Sequence, residues 1–413
     1  MIYFDSNTAL DYSNYTIDLT KSLADLAGSI DGIARVELAL ARELLLSGGR
    51  AIWIDSHGSV YEIQRDDFDY LWSLTSLTPP RFGGVKFVED IVLQFRQKKL
   101  LRSLRKTKYL PRKKEALCLF GAYWDASRQH IPNQLSKMFD ARIFGFVHDL
   151  IPISHPELTH SPKYMRRAFP DYLRNMLAVC DRIFVSSDFV AEQLKAFCNR
   201  QNYNPPPIHT LPLACDLDLR SDLSKQPLVS RRLTSKKFAL MVSTFEPRKN
   251  HKFAYELWTE LQNRNFNSLI PLVFAGKRGW QTSEIFNRIK SRSRSGNVPF
   301  VIVEFPSDDD LAWLYQNARM TLYPSTIEGW GLPISESLSF GTYCLASDAP
   351  ALKEASQGLA WHESLHKKER WLEEVRRCLS DDSYLAQHSA KIISNFKSRR
   401  WSDFTRDLLR GDK

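Results

Sequence analysis

Two glutamates eight positions apart, Glu328 and Glu336, bracket the run Gly329-Trp330-Gly331-Leu332-Pro333-Ile334-Ser335. Glycines at that spacing let the backbone approach a ligand closely. A helix starting there offers unpaired N–H groups and a positive dipole end to an anion, and a carboxylate at each edge accepts hydrogen bonds from hydroxyls. The plainer reading is a strand–turn–helix connection in which Glu336 is a first-turn carboxylate favoured by the dipole. Arg248 and Lys249, just ahead of Asn250, add complementary chemistry: a bidentate fork beside a point charge, enough to neutralise a diphosphate without a metal ion. A solvated basic turn is the alternative, and Glu246 is placed to pair with one of the two cations. His148 closes an apolar run and offers an ionisable group to a bound substrate. Its alternative is a ring satisfied by a backbone carbonyl. Asp149 reads as the cap of the turn that follows.

These residues need elements to carry them. Short apolar runs alternate with helix-period segments, the pattern of parallel sheets with crossover helices. In the first half, 51–55, 116–120, 142–147, 182–186 and 208–213 read as strands; in the second, 238–242, 272–275, 300–304, 320–323 and 342–346. Between the two series, 216–237 loses periodicity and carries Pro227, which places a linker there. In doubly wound sheets ligands bind beyond the carboxyl ends of the strands, where His148, Arg248, Lys249 and Glu328 all fall. Gly32 opens a helix whose Ile33, Val36, Leu40, Ala41 and Leu44 share one face. A glycine there lets backbone N–H groups meet phosphate. Trp313, Tyr315 and Phe340 sit at helical spacing and read as core.

Composition narrows the classes. The 413 residues suit two α/β domains, and 43% hydrophobic with 25% charged residues is globular composition. The six cysteines are scattered with no C-x-x-C pair, so no disulfide or zinc framework is expected. His155 and His160 have the wrong spacing for one helix face, so no metal site is expected there either. No apolar run approaches the ~18 residues a spanning helix needs. With a start at Met1-Ile2-Tyr3-Phe4-Asp5 that is neither basic nor signal-like, a cytoplasmic protein is expected. Much of the +10 charge sits in 81–114, with twelve Lys or Arg against Glu89 and Asp90. That stretch reads equally as an amphipathic helix for anionic membrane or as a solvated helix flanking a cleft. No nucleic-acid motif accompanies it.

The motifs taken together resemble glycosyltransferase family 4. The E-G-x-G-L-P-x-x-E segment at 328–336 is similar to that family's signature, and Val242 to Asn250 looks like its Arg-Lys turn. Leu272 to Trp280, Asp308 to Ala318, Ser29 to Glu37 and the His-Asp-x-x-Pro of His148 to Pro152 follow in the family's order, with Ala34 where a second glycine is commoner. The resemblance implies an α/β GT-B fold of two Rossmann-like doubly wound domains facing a cleft. Residues 1–220 would bind the acceptor, 237–395 the nucleotide sugar, and 396–413 would be a helix returning to the first domain. It further implies a retaining, metal-independent hexosyltransferase with no cofactor. A sugar, mannose favoured, would pass from a nucleotide-diphosphate donor to a cell-surface polysaccharide or lipid-linked glycan. Arg248 and Lys249 would take the diphosphate, Glu328 the sugar, Glu336 the ribose and His148 the reacting face. Gly32, Gly276, Phe305, Gly329, Gly331 and Leu332 would complete the donor site. The rival readings are a non-catalytic sugar-nucleotide-binding partner and a GT-B epimerase.

Overall fold

The computed structural model describes residues 15–19, 32–54, 59–75, 107–110, 112, 115–121, 123–124, 129–217, 233–294 and 300–410. The first sheet contains β1 (Tyr15–Asp18), β2 (Arg50–Ile54), β3 (Val60–Ile63), β4 (Ala116–Leu119), β5 (Arg142–Val147), β6 (Arg182–Val185) and β7 (Ile208–Thr210). Their spatial order is β3-β2-β1-β4-β5-β6-β7, parallel except for the antiparallel β2–β3 pair. The second sheet contains β8 (Ala239–Val242), β9 (Leu272–Ala275), β10 (Phe300–Val303), β11 (Met320–Tyr323), β12 (Cys344–Ser347) and β13 (Trp361–Glu363). Its order is β10-β9-β8-β11-β12-β13, all parallel. Central strands covered on both faces read as apolar runs: β4 and β9 are apolar and buried throughout, and β11 is buried throughout with Thr321 interrupting its run. Three strands escaped the apolar pattern. β1 carries buried Thr16 and Asp18, β3 is an antiparallel edge, and β13 has only three residues, all half-buried.

The strand order reverses between β1 and β4 and again between β8 and β11. Those two reversals are the switch points outside which such sheets bind ligands. Local chemistry fixes the helices that flank them. Asn250, left-handed at φ 60°, caps the helix His251–Asn263 through its side chain. Ser307 and Asp310 form a reciprocal capping box on Asp308–Asn317. Gly331, at φ 112°, turns the chain into Leu332–Ser339 with Pro333 in the first turn.

The helix Trp401–Arg410 packs on Gly32–Leu46 of the first domain. Trp401, Phe404, Leu408 and Leu409 join that domain's core, with Phe404 set edge-on to Phe120. Trp401 N donates to Asp216 Oδ1 at 3.0 Å and Cys215 N to Arg399 O at 3.0 Å, tying the two crossing segments together. Most of the 216–237 linker and of the basic 81–114 stretch lies outside the described residues. Within the latter, Lys108 forms an antiparallel bridge to Tyr61. Among the described residues no helix is long and apolar enough to cross a membrane.

Candidate active site

A cavity of about 640 Å³ opens between the two sheets. Its lining includes His148, Arg248, Lys249, Gly276, Phe305, Glu328, Gly329, Gly331, Leu332 and Glu336. Gly32 begins the helix Gly32–Leu46, and Ile33 and Arg35 of that helix line the cavity.

The floor of the cavity is a tight charge cluster. Arg248 and Lys249 follow β8, and Glu328 follows the neighbouring β11, so the switch point brings them together. Lys249 Nζ donates to Glu328 Oε1 at 2.6 Å and to Tyr323 Oη at 2.5 Å, and Tyr323 donates to Glu328 Oε1 at 3.0 Å. Arg248 Nη1 donates to Glu328 Oε2, and its Nε lies 3.0 Å from Glu246 Oε2. Glu246 thus pairs with one of the cations. Burial alone would push the Glu328 carboxyl up. Arg248 and Lys249 outweigh it and draw its pKa down to about 2. Burial, and then the neighbouring Arg248, lower Lys249. Two cations face two carboxylates, so the cluster is close to neutral. Both cations are engaged by these carboxylates, so a further anion would share them.

His251 supports this turn from behind. It is buried, stacked on Phe245 with ring centroids 4.0 Å apart, and its Nε2 lies 3.1 Å from Ser243 Oγ. Burial and the nearby Lys249 push its pKa down to about 3, which keeps the imidazole neutral.

His148 lines the cavity, and its Nε2 donates to the Phe120 carbonyl at 2.7 Å, so the ring is both cleft-facing and anchored. Asp149 Oδ1 accepts from Ile151 N at 3.0 Å, the local cap; burial pushes its carboxyl up against the pull of Arg248. The glycine loop of the second domain reaches this wall. Gly329 O accepts from Ser186 Oγ at 2.9 Å and from Ser187 Oγ at 2.8 Å. A Cβ on Gly329 would lie 2.1 Å from His148 O. At Gly276, φ 152°, a Cβ would lie 2.1 Å from Ser243 O, and Phe305 takes a left-handed φ of 55°. Both positions follow the ends of strands that face the cavity.

Glu336 lies at the other edge of the loop, 3% exposed. Its Oε1 accepts from Arg35 Nη1 at 2.7 Å and its Oε2 from Tyr315 Oη at 2.7 Å. Burial pushes this carboxyl up, with Arg35 and Tyr315 opposing. Tyr315 is therefore more than core packing: its ring is buried but its hydroxyl serves Glu336, a partner that helical spacing does not reveal. Arg35, Tyr323 and Ser186 also line the cavity, with Ser187 beside them; the sequence placed Arg35 in the glycine-loop motif and Tyr323 and Ser186 at strand ends without singling them out.

Residues 225–399 match the family model described as glycosyl transferases group 1. That match lies over the second sheet and its helices. Over 244 residues, 55% of its length, the chain is 31% identical to the serotype-specific mannosyltransferase WbdA of Escherichia coli. That match covers 29% of the relative, so the chain spans less than a third of the length of the first curated relatives it matches. An O-antigen chain mannosyltransferase B of Escherichia coli is 28% identical over 270 residues, 64% of this chain and 68% of the relative. Among solved structures, sucrose-phosphate synthase from Thermosynechococcus elongatus superposes with a TM-score of 0.61 at 15% identity, over 96% of this chain and 98% of that one. Anabaena HepE in complex with UDP and glucose gives 0.60 at 11% identity, over 96% and 98%. These likenesses show the fold, GT-B with two Rossmann-like domains.

Proposed function

We propose that the chain is a retaining glycosyltransferase that moves a hexose, mannose favoured, from a nucleoside diphosphate to a polysaccharide or lipid-linked glycan, without a metal. The supporting observation is Glu328 bridging Arg248 and Lys249 at the switch point, in a cleft whose far wall carries His148. The mannosyltransferase relatives support the choice of sugar. In this reading the diphosphate lies on Arg248 and Lys249, whose charge stabilises it as it leaves. Glu328 orients the sugar hydroxyls, Glu336 takes the ribose and His148 faces the reacting carbon. The bond from the anomeric carbon to the phosphate oxygen breaks, and the acceptor oxygen bonds to that carbon on the same face. The departing phosphate oxygen takes the acceptor proton. Front-side attack is favoured because, among the described residues, no side chain offers itself as a nucleophile at that carbon. Apposed domains exclude the water that would otherwise hydrolyse the donor.

A thermal-shift screen against GDP, UDP, ADP and their sugar conjugates, with EDTA throughout, tests the reading. A ligand at a hundred times its Kd stabilises by about 2.7 kcal/mol. One nucleotide should shift the melt, and Lys249→Ala should abolish the shift. A folded sample that responds to no nucleotide would favour a non-catalytic role. Release of free nucleotide without any acceptor would favour an epimerase.

A further inference from the structure

Glu336 does not face the cavity unassisted. Its second-domain neighbour Tyr315 holds one oxygen at 2.7 Å. The other is held by Arg35, which comes from the first domain, near the start of the helix Gly32–Leu46. The same guanidinium reaches a second carboxylate: Arg35 Nη2 lies 2.7 Å from Asp308 Oδ1, at the first residue of Asp308–Asn317. One planar fork from one domain therefore spans two helices of the other. A contact of this kind exists only while the domains are apposed. Each carboxylate oxygen accepts more than one hydrogen bond, so Arg35 does not exclude a ligand from Glu336. It fixes where the remaining lone pairs point, and it opposes the burial that favours a protonated acid.

We propose that Arg35 is a positioning residue for the nucleotide: by clamping Glu336 from the opposite domain, it completes the ribose-binding carboxylate of the closed cleft. The inference rests on the reading of Glu336 as the ribose partner. A nucleotide held by the second domain alone meets a Glu336 fixed only by Tyr315, and closure adds Arg35. Ribose recognition therefore strengthens as the domains close. Lysine does not substitute, because a single ammonium cannot serve two carboxylates with the geometry of a planar fork.

The test is calorimetric titration of the full chain with whichever of GDP, UDP or ADP binds tightest, and with its 2′,3′-dideoxy counterpart. Wild type should prefer the ribonucleotide by roughly tenfold or more, as expected for hydrogen bonds to a charged group. Arg35→Gln should weaken the ribonucleotide by about tenfold and change the dideoxy form by no more than about twofold, so that the preference collapses. Arg35→Lys should behave like Arg35→Gln. Equal weakening of both nucleotides would make Arg35 merely structural and overturn the proposal, as would an Arg35→Gln protein that keeps the ribose preference. Glu336→Gln separates the two levels. If it keeps the preference, the reading of Glu336 fails, and the Arg35 role with it. If it loses the preference while Arg35→Gln keeps it, only the Arg35 role fails. Asp308→Asn loosens the clamp without touching Arg35, and provides a second variant should Arg35→Gln not fold. It should cut the ribose preference severalfold, and an undiminished preference would overturn the proposal.

Discussion

Glu328 Oε1 sits 2.6 Å from Lys249 Nζ, a contact between the ends of two strands that are adjacent in the sheet but separated by 79 positions in the chain. Together with Arg248 and Glu246 it leaves the cleft floor almost neutral, although the floor contains the two cations proposed to take the diphosphate. Binding a diphosphate therefore means competing with Glu328 for Arg248 and Lys249.

That competition predicts opposite effects on binding and transfer when the carboxylate is removed. Glu328→Gln leaves Arg248 and Lys249 with less anionic charge opposite them, so a nucleoside diphosphate should bind several-fold tighter, on the order of 1 kcal/mol for one relieved interaction. Sugar transfer should fall by about a hundredfold or more, since a donor hydroxyl loses its acceptor. Titration of nucleotide alongside initial rates of transfer separates the two. Nucleotide binding that weakens in step with the rate would mean that Glu328 orders the cations rather than competing for them.

Much of this arrangement could be read from residue order. β9 is a continuous apolar run, β5 is apolar after Arg142 and β11 is interrupted only by Thr321, and the residues past strand ends include His148, Arg248 and Glu328. β1 was missed because Thr16 and Asp18 look like loop residues; they are buried against partners contributed from distant positions, such as Tyr123 Oη on Asp18 Oδ2 at 2.8 Å. Arg35 lay inside a motif that resembled the family's glycine loop, but its partners Asp308 and Glu336 are about 270 to 300 positions away. Side-chain direction across a domain gap leaves no periodic trace. The same holds for Ser186 and Ser187, two small hydroxyls whose role is defined only by the carbonyl they meet.

Gly329 sits where the second domain's loop lies directly against the first domain. A methyl group there would stand 2.1 Å from His148 O and 2.9 Å from Asp149 Cβ, and backbone cannot yield to it. Gly329→Ala should leave both domains folded while forcing the loop off β5 and β6 and breaking the bonds from Ser186 and Ser187. Transfer should drop by about a hundredfold or more, a cost expected for a misplacement of ~1 Å. Small-angle scattering should show a larger radius of gyration than wild type. An unchanged radius with full activity would mean that the loop has another way to seat.

Glu354 makes a gentler contact between the same domains. Its carboxylate accepts from Asp188 N at 2.7 Å and Phe189 N at 2.9 Å, at the positive end of the helix Asp188–Arg200. A carboxylate at a helix N-terminus contributes about 0.3–1 kcal/mol at an exposed site and is screened by salt. Glu354→Gln should therefore raise KM for the donor about two- to fivefold at low salt, with kcat little changed, and the difference should shrink at high salt. A salt-independent loss of kcat would instead place Glu354 in the chemistry of the cleft.

His251 gives the fold a pH dependence whose sign can be worked out. Its folded pKa, pushed down to about 3 by burial and Lys249, lies below the ~6.5 of an unfolded chain. Between those values the unfolded state binds the extra proton, so stability rises with pH across the window. The contribution is complete above about pH 7 and is lost as pH falls toward 3. At about 1.36 kcal/mol per unit, the drop from pH 7 to pH 5 is on the order of 2 kcal/mol. His209, His362 and His388 are also lowered by burial, so the decisive quantity is a difference between proteins. His251→Gln should be less stable than wild type at pH 7, because the stacked ring on Phe245 is lost. It should also lose about 2 kcal/mol less than wild type on going to pH 5. Urea unfolding of both proteins at pH 7, 6 and 5 measures this directly. Parallel curves would show that His251 is accessible to protons in the folded state and that the neutral ring is not what holds the Arg248-Lys249 turn.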